Sequence, residues 1–255
     1  MTDQVFADLR TLAMVNYGHF TSMRVAAGRV RGLAHHLERL DRDSRELFGR
    51  AVSAELVRER VREAVAGATD PVYAKVNVFA RQFDAAVAEQ EPSLLVTVRP
   101  LPERPAPARV CTVAYERDLP HIKHVGTFGL FHQYRHACGR GFDDAIFVNR
   151  HGEISEATVS NVCFVHGDTL VWPSAPALPG VAMRLLHDAL AAAGVPVETR
   201  PVSPADLPSF RGAFASNALN PVQVIEQVDD VRFAGAEDVR RLLAKTYEAI
   251  PEEAV

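Results

Sequence analysis

The chain of 255 residues has few of the features that mark disulfide frameworks, zinc sites or membrane spans. Its three cysteines, Cys111, Cys138 and Cys163, have no paired spacing, so they indicate small buried side chains. No apolar run approaches the roughly 18 residues that a membrane-spanning helix needs. The N-terminal stretch MTDQVFADLR lacks the basic-then-apolar order of a secretory signal. We therefore expect a cytoplasmic protein with no membrane partner.

An excess of positive charge is also missing. The formal net charge is −4 at pH 7, which argues against a surface that binds nucleic acid through its phosphates. Hydrophobic residues make up 47% of the chain and charged residues 24%, as in an ordinary globular protein. The length suits one large domain or two small ones with a sizeable core. Nucleic-acid binding is therefore not expected.

Lysine is scarce as well. The 28 basic residues include only three lysines, Lys75, Lys123 and Lys245, so each can be considered singly. Only lysine among the basic residues can form a Schiff base. Lys75 lies in an alternating strand pattern that predicts a side chain facing solvent or an interface, and Lys245 lies on the polar side of a predicted helix. Lys123 stands where an extended segment ends, between His121 and His124, and is either an exposed loop residue or a reactive amine.

Proline is concentrated in one stretch. The sequence RPLPERPAPA, residues 99–108, contains four prolines in ten residues and predicts a linker. It divides the chain into two halves that both mix helical and strand periodicity. The prediction is an N-terminal α/β domain over residues 1–103, a linker over 104–108 and a C-terminal domain over 109–255.

Hydrophobic periodicity and turn residues predict the individual elements. The N-terminal 17 residues show only a weak pattern and are assigned no element. The predicted helices are His35–Phe48, Val52–Val65, Thr127–Gly139, Val181–Ala193 and Glu237–Ile250. The predicted strands are Phe20–Val25, Arg29–Leu33, Tyr73–Phe83, Leu94–Val98, Val110–Tyr115, Asp144–Asn149, Ile154–Glu156, Ser160–Val165, Thr169–Trp172, Gly212–Ser216 and Val222–Gln227.

Two features of the second half are candidates for binding or catalysis. Glu156 ends a predicted strand, and a carboxylate is what a pyridine nitrogen needs in order to stay protonated. The alternative is a solvated loop glutamate. The stretch LPGVAMRLL starts a helix at Gly180 with no Ser, Thr, Asp or Asn as N-cap, which leaves backbone N–H groups for a phosphate or for water.

The order of these features is similar to that in a known family. A lysine after an extended segment, then DDAIFVN, GEISEATVSNV and LPGVAMR, resembles the fold-type IV pyridoxal phosphate enzymes, from about residue 15 to residue 230. That family includes branched-chain aminotransferase, D-amino acid aminotransferase and 4-amino-4-deoxychorismate lyase. The resemblance implies an α/β fold of two domains, the larger C-terminal one with a mixed sheet or barrel-like core. It also implies pyridoxal 5′-phosphate as cofactor and a homodimer.

The resemblance assigns roles to individual residues. Lys123 would carry the cofactor as a Schiff base, and Glu156 would pair with the pyridine nitrogen. The groups it assigns to the phosphate are the backbone of Val181 and Ala182, Arg39 in HHLERL, and the Ser216-Asn217 loop. The residues it places on the substrate side are Tyr17, Thr21 and Phe128.

The motifs leave the activity within the family open. FTSMR, IKHVG and NALNPV look more like the lyase, and Phe128 replaces the tyrosine that branched-chain enzymes usually have five residues after the lysine. The segment Tyr17–Phe20 is about two residues shorter than in the lyase, which weakens a transfer of the lyase's substrate.

Three hypotheses follow. The favoured one is an aminotransferase that moves an amino group between an amino acid and a keto acid, with the Lys123 amine transferring the α-proton. The second is the lyase, which releases pyruvate and leaves 4-aminobenzoate. The third is a cofactor-free relative that acts as a binding module. His132 and His136 are spaced as metal ligands on one helix, but no third ligand follows, so no metal is predicted.

Overall fold

The computed structural model describes residues 3–82, 91–103, 105–233 and 235–255. Its helices are α1 (Asp3–Val15), α2 (Leu33–Phe48), α3 (Ala54–Val65), α4 (Phe128–Gly139), α5 (Val181–Ala192) and α6 (Glu237–Ala249), with a short 3-10 helix at Pro204–Ser209. Its strands are β1 (Gly18–Val25), β2 (Arg29–Arg31), β3 (Val72–Phe79), β4 (Ser93–Pro100), β5 (Ala108–Ala114), β6 (Asp144–Val148), β7 (Ile154–Ala157), β8 (Asn161–His166), β9 (Thr169–Pro173), β10 (Val197–Arg200), β11 (Gly212–Ser216), β12 (Gln223–Val228), β13 (Val231–Arg232) and β14 (Glu252–Ala254). No helix in these ranges is long and apolar enough to cross a membrane.

The chain forms two compact units. The first contains residues up to Pro102 together with Ile122–Thr127 and Pro251–Val255, and the second contains Glu103–His121 and Phe128–Ile250. The division after Pro102 lies within the proline-rich stretch of residues 99–108. The units nevertheless depart from two continuous segments, because two short pieces from the second half of the chain pair with strands of the first unit. Arg104, the first residue of the predicted linker, lies outside the described residues.

The first unit is built on an antiparallel sheet in the order β1-β3-β4. Alternate residues of β3, from Val72 to Val78, belong to its buried core, so one face of the sheet packs on apolar side chains of α2 and α3. The last strand, β14, pairs antiparallel with β2. Helix α3 begins after Ser53, whose hydroxyl accepts a hydrogen bond from Leu56 N at 3.2 Å.

The free edge of β1 is occupied by a short segment around Lys123. Phe20 N donates to Lys123 O at 2.9 Å, and Val125 N donates to Gly18 O at 2.9 Å. His19 and His124 form the antiparallel bridge between these two bonds. The segment that the sequence identified as the end of an extended stretch is therefore an added edge strand of the first sheet.

The second unit is a closed barrel. Its six strands follow one another in the order β8-β11-β12-β5-β6-β7, and pairing of β7 with β8 completes the ring. The β12–β5 and β5–β6 pairs are parallel and the other pairs are antiparallel, so the barrel is mixed. Buried side chains such as Ile146, Val162 and Phe164 fill its core. The predicted α/β fold with a mixed, barrel-like core is confirmed.

Most predicted elements are present, with ends that differ by one to a few residues. Helix α1 was not predicted, because its apolar residues do not form a clear stripe. The strand predicted from Tyr73 to Phe83 ends at Phe79, and Phe83 itself lies outside the described residues. Strands β10, β13 and β14 were also missed, since they have only two to four residues and mixed polarity.

Candidate active site

The backbone of Lys123 is held on both sides. Its carbonyl accepts the bond from Phe20 N, and its N–H donates to Asp43 Oδ2 at 3.2 Å. The neighbouring Ile122 is fully buried. The ammonium lies over the ring of Phe20, 5.0 Å from the ring centroid. Lys123 is therefore a fixed residue on a sheet edge and not an exposed loop lysine.

Asp43 was missed by the sequence reasoning. It is fully buried on α2, and Arg42 donates to Asp43 Oδ1 through Nε at 2.9 Å and through Nη2 at 2.6 Å. The second oxygen holds the Lys123 backbone. No local signal for it exists in the sequence, because the buried face of α2 also carries the polar residues His36, Arg39 and Ser44.

Arg39 lies in a buried network of the first unit. Its guanidinium donates to the hydroxyl of Thr21, and that hydroxyl lies 2.7 Å from His36 Nδ1. Arginine can only donate, and Arg39 Nη2 also lies 3.4 Å from His36 Nδ1, so Nδ1 is an acceptor and the proton of neutral His36 is on Nε2. The Thr21 hydroxyl then accepts from Arg39 and donates to His36 Nδ1. Thr21, His36 and Arg39 are all at most 4% exposed.

Burial and positive charge keep two histidines of this unit neutral. Burial, with Arg39 and Arg42 nearby, lowers the pKa of His19 from 6.5 to about 3. Burial and the charges of Arg39, His35 and Lys123 hold the pKa of His36 well below 6.5. Both imidazoles are therefore uncharged at neutral pH and serve as hydrogen-bonding groups, His19 with Ser44 Oγ at 2.8 Å.

The lowered pKa of His19 predicts that the protein loses stability in mild acid. In the unfolded chain a histidine takes up a proton near pH 6.5, whereas folded His19 does so only near pH 3, so the unfolded state binds more protons between these values. The free energy of unfolding should thus fall as the pH decreases, by about 2 kcal/mol from His19 between pH 7 and pH 5. Urea titrations of the wild type and of His19→Gln at both pH values measure this, and an equally steep loss in the variant would contradict the assignment.

The three residues predicted on the substrate side have different surroundings. The hydroxyl of Tyr17 donates to Leu47 O at 3.1 Å, and its ring packs edge-on against Phe48 at 5.6 Å. Thr21 uses its hydroxyl within the Arg39 network. Phe128 begins α4 and is 83% exposed, with its ring stacked on His132. Their substrate roles stay predictions.

In the second unit, strand register brings three polar residues into one row. Glu156 on β7 pairs with Asn161 on β8, and Asn161 pairs with Ser216 on β11. Directly opposite residues of antiparallel strands point to the same side of a sheet, so these three side chains are neighbours. All three are at most 7% exposed. Residues separated by 60 positions in the sequence thus form one buried polar strip.

Glu156 is held by an ion pair with a buried arginine. Arg117 Nη1 donates to Glu156 Oε1 at 3.1 Å, and both side chains are less than 10% exposed. Arg117 Nη1 also donates to Pro120 O at 2.9 Å, and Leu178 N lies 3.4 Å from Glu156 Oε2. The arginine fixes the position of the carboxylate. Arg117 was not identified from the sequence, because its partner comes 39 residues later.

The start of α5 adjoins this row. Asn161 Nδ2 donates to Leu178 O at 2.7 Å. A Cβ at Gly180 would lie only 2.0 Å from Asn161 Oδ1, so only glycine fits there. Helix α5 begins at Val181 with no side-chain cap, as predicted, and the side chains of Val181 and Ala182 are buried. Asn161, which the sequence reasoning did not single out, thus connects the row to the helix start.

Unsatisfied donors in the second unit fit a phosphate. Ser216 Oγ is buried and has no hydrogen-bond partner within the described ranges. Together with the first N–H groups of α5, it offers neutral donors for an anionic oxygen. Asn217 is used differently, because its Oδ1 accepts from Leu219 N and Asn220 N at 3.0 and 2.8 Å. Its Nδ2 donates to Ser160 Oγ at 2.9 Å, so its side chain shapes the loop.

Comparison with known proteins gives a match over most of the chain. The family model for class IV amino-transferases matches residues 18–228. A probable branched-chain-amino-acid aminotransferase of Synechocystis is 25% identical over 118 residues. That alignment covers 46% of this chain and 39% of the relative, so this chain matches well under half of the relative's length.

Solved structures share the fold. A hypothetical aminotransferase from Mycobacterium tuberculosis, solved in apo and PLP-bound forms, superposes with a TM-score of 0.84 at 21% identity, over 94% of this chain and 90% of that one. A putative 4-amino-4-deoxychorismate lyase from Legionella pneumophila gives a TM-score of 0.80 at 19% identity, over 92% and 93% of the two chains. At these identities the likeness establishes the fold and not the reaction.

Proposed function

Since the chain belongs to the class IV amino-transferase family, we propose that it is a pyridoxal-phosphate-dependent aminotransferase that moves an amino group between an amino acid and a keto acid. The observation that carries the proposal is the buried row Glu156–Asn161–Ser216 beside the start of α5. It combines a fixed carboxylate with neutral donors, which are the groups that a protonated pyridine ring and a phosphate require.

When bound, pyridoxal phosphate supplies the electron sink for the negative charge that develops at the substrate's α-carbon. Lys123 Nζ would bond the cofactor, and after its release would take the proton from the α-carbon. The backbone contacts of Lys123 with Phe20 and Asp43 limit where that amine can reach.

The remaining groups would bind and orient the cofactor. Glu156, positioned by its ion pair with Arg117, would accept the hydrogen bond of the pyridine N–H and hold its proton in place. Arg39 would supply the positive charge for the phosphate, which the N–H groups of Val181 and Ala182 and the hydroxyl of Ser216 would also contact. The Asn217 side chain would support this loop. By family resemblance we also propose a homodimer that works in the cytoplasm.

The lyase is the second candidate, favoured by FTSMR and IKHVG and by the fold shared with the Legionella protein. One experiment separates the two activities. Protein reconstituted with pyridoxal phosphate is mixed with single L- or D-amino acids and no keto acid, and bound pyridoxamine phosphate is measured by chromatography. An aminotransferase should convert about one equivalent per site. Pyruvate release from aminodeoxychorismate without a keto-acid acceptor would instead establish the lyase, and neither product would contradict both proposals.

A further inference from the structure

The edge segment that carries Lys123, residues 122–127, departs from a regular antiparallel ladder at Lys123 itself. Phe20 N donates to Lys123 O, and a regular pair would return a bond from Lys123 N to Phe20 O. The single hydrogen of Lys123 N is instead donated to Asp43 Oδ2 at 3.2 Å. A carboxylate of α2 thus takes the hydrogen that would close the ladder, at the residue whose amine is proposed to react.

The Asp43 carboxylate is itself held in place. It is fully buried, and its Oδ1 accepts from both Nε and Nη2 of Arg42, at 2.9 and 2.6 Å. One oxygen therefore serves the arginine and the other serves the Lys123 backbone. Hydrogen bonds to a charged acceptor are roughly twice as strong as neutral ones, and burial removes the water that would compete for this N–H. Asp43 therefore holds the edge segment more firmly than a carbonyl oxygen would.

Helix α2 also holds the strand to which this segment is added. Arg39 donates to the hydroxyl of Thr21 on β1. Arg39 and Asp43 are both on the buried face of α2 and are four residues apart, so their side chains leave the helix one above the other. The arginine proposed to bind the phosphate and the carboxylate that holds Lys123 are therefore carried by one turn of one helix.

We propose that Asp43 is a positioning residue for the reaction, because it ties the Lys123 backbone to α2 and so sets the distance between the Lys123 amine and Arg39. The inference rests on the proposed function, in which Arg39 binds the phosphate and the Lys123 amine takes the proton from the α-carbon. Proton transfer needs hydrogen-bond distances, and a misplacement of about 1 Å can slow a reaction about 100-fold. Asp43 acts through the Lys123 backbone and does not touch the reacting atoms.

The scarcity of lysine makes this bond directly measurable. In the full chain, reconstituted with pyridoxal phosphate and made with ¹⁵N-labelled lysine, the three backbone amide signals come from Lys75, Lys123 and Lys245. Asp43→Ala should accelerate hydrogen exchange at Lys123 at least about 10-fold, while Lys75 in β3 and Lys245 in α6 keep their rates. An unprotected Lys123 amide in the wild type would overturn the proposal. Equal acceleration at all three lysines would also overturn it, because that result is a general loss of stability.

Kinetics test the role of Asp43 in the reaction. The half-reaction is followed in a single turnover with the amino acid that gives most pyridoxamine phosphate in the assay above, in its ordinary and α-deuterated forms. In Asp43→Ala the rate should fall roughly 10- to 100-fold, with little change in the amino-acid concentration that gives half the maximal rate. The isotope effect should rise, because proton transfer becomes slower than the other steps. Asp43→Asn keeps an oxygen that can accept from Lys123 N, so its rate should lie between those of the wild type and Asp43→Ala.

Asp41→Ala is the matched control. It removes an acid two residues earlier on α2, whose ion pair with Arg45 at 2.8 Å is open to solvent. It should leave both the exchange and the half-reaction unchanged. Faster exchange at Lys123 in Asp43→Ala together with a normal half-reaction would overturn the positioning role. If the wild type takes up no cofactor or converts no amino acid, the proposed function fails, whereas the Lys123 amide still shows whether Asp43 holds this edge.

Discussion

Replacing Lys123 with alanine should abolish turnover, with a loss of at least about 10⁴-fold, because the same amine bonds the cofactor and transfers the proton. The hydrogen bonds of this residue with Phe20 and Asp43 involve its backbone, which alanine retains. The variant should therefore fold normally. Borohydride reduction followed by mass spectrometry should find the cofactor attached to the wild type at residue 123 and absent from the variant.

Lys245→Ala is the control for this experiment, since Lys245 is exposed on α6. It should keep both turnover and covalent attachment. Normal activity in Lys123→Ala would refute the proposed function, and attachment of the cofactor at Lys75 instead would move the reactive amine to the neighbouring strand.

Changing Glu156 to glutamine should cost both activity and stability. A neutral amide cannot keep the pyridine nitrogen protonated, so turnover should fall by roughly 100-fold or more while the cofactor stays bound through its phosphate. The change also leaves the buried guanidinium of Arg117 without its counter-charge, which should lower the free energy of unfolding by about 3 kcal/mol. Steady-state kinetics and thermal denaturation measure the two effects.

An ion pair close to Glu156 in the chain provides the control for this substitution. Glu116 forms an ion pair with Arg150 at 2.6 Å in which the arginine is 76% exposed. Glu116→Gln should change turnover and stability little, because exposed ion pairs are screened by water. If Glu156→Gln behaves like Glu116→Gln, the carboxylate has no role at the cofactor.

The order of the elements could be predicted from the sequence because it depends on local periodicity. Helices α2 and α5 and strand β11 follow from apolar spacing and turn residues within windows of about 15 residues. Closure of the barrel could not be predicted in this way, since it depends on β7 pairing with β8 and on β12 pairing in parallel with β5. Such pairings join distant segments and leave no periodic signal.

The same distinction, between local and long-range information, applies to the polar residues of the candidate site. Lys123, Glu156 and the uncapped start of α5 could be proposed from the sequence, because each has a chemical identity that is rare in its local context. Asp43 and Arg117 could not, because an acid or an arginine becomes informative only when a buried partner far along the chain is known.

The sequence by itself determined the element pattern, the scarcity of lysine and the motifs by which the family could be identified. Only the tertiary structure decided which of those residues act together. Strand register aligns Glu156 with Asn161 and Ser216, and strand pairing places Lys123 beside Phe20 at the edge of β1. The physical reason is that strand pairing is a long-range contact, set by how the whole sheet closes and not by the residues next to it in the chain.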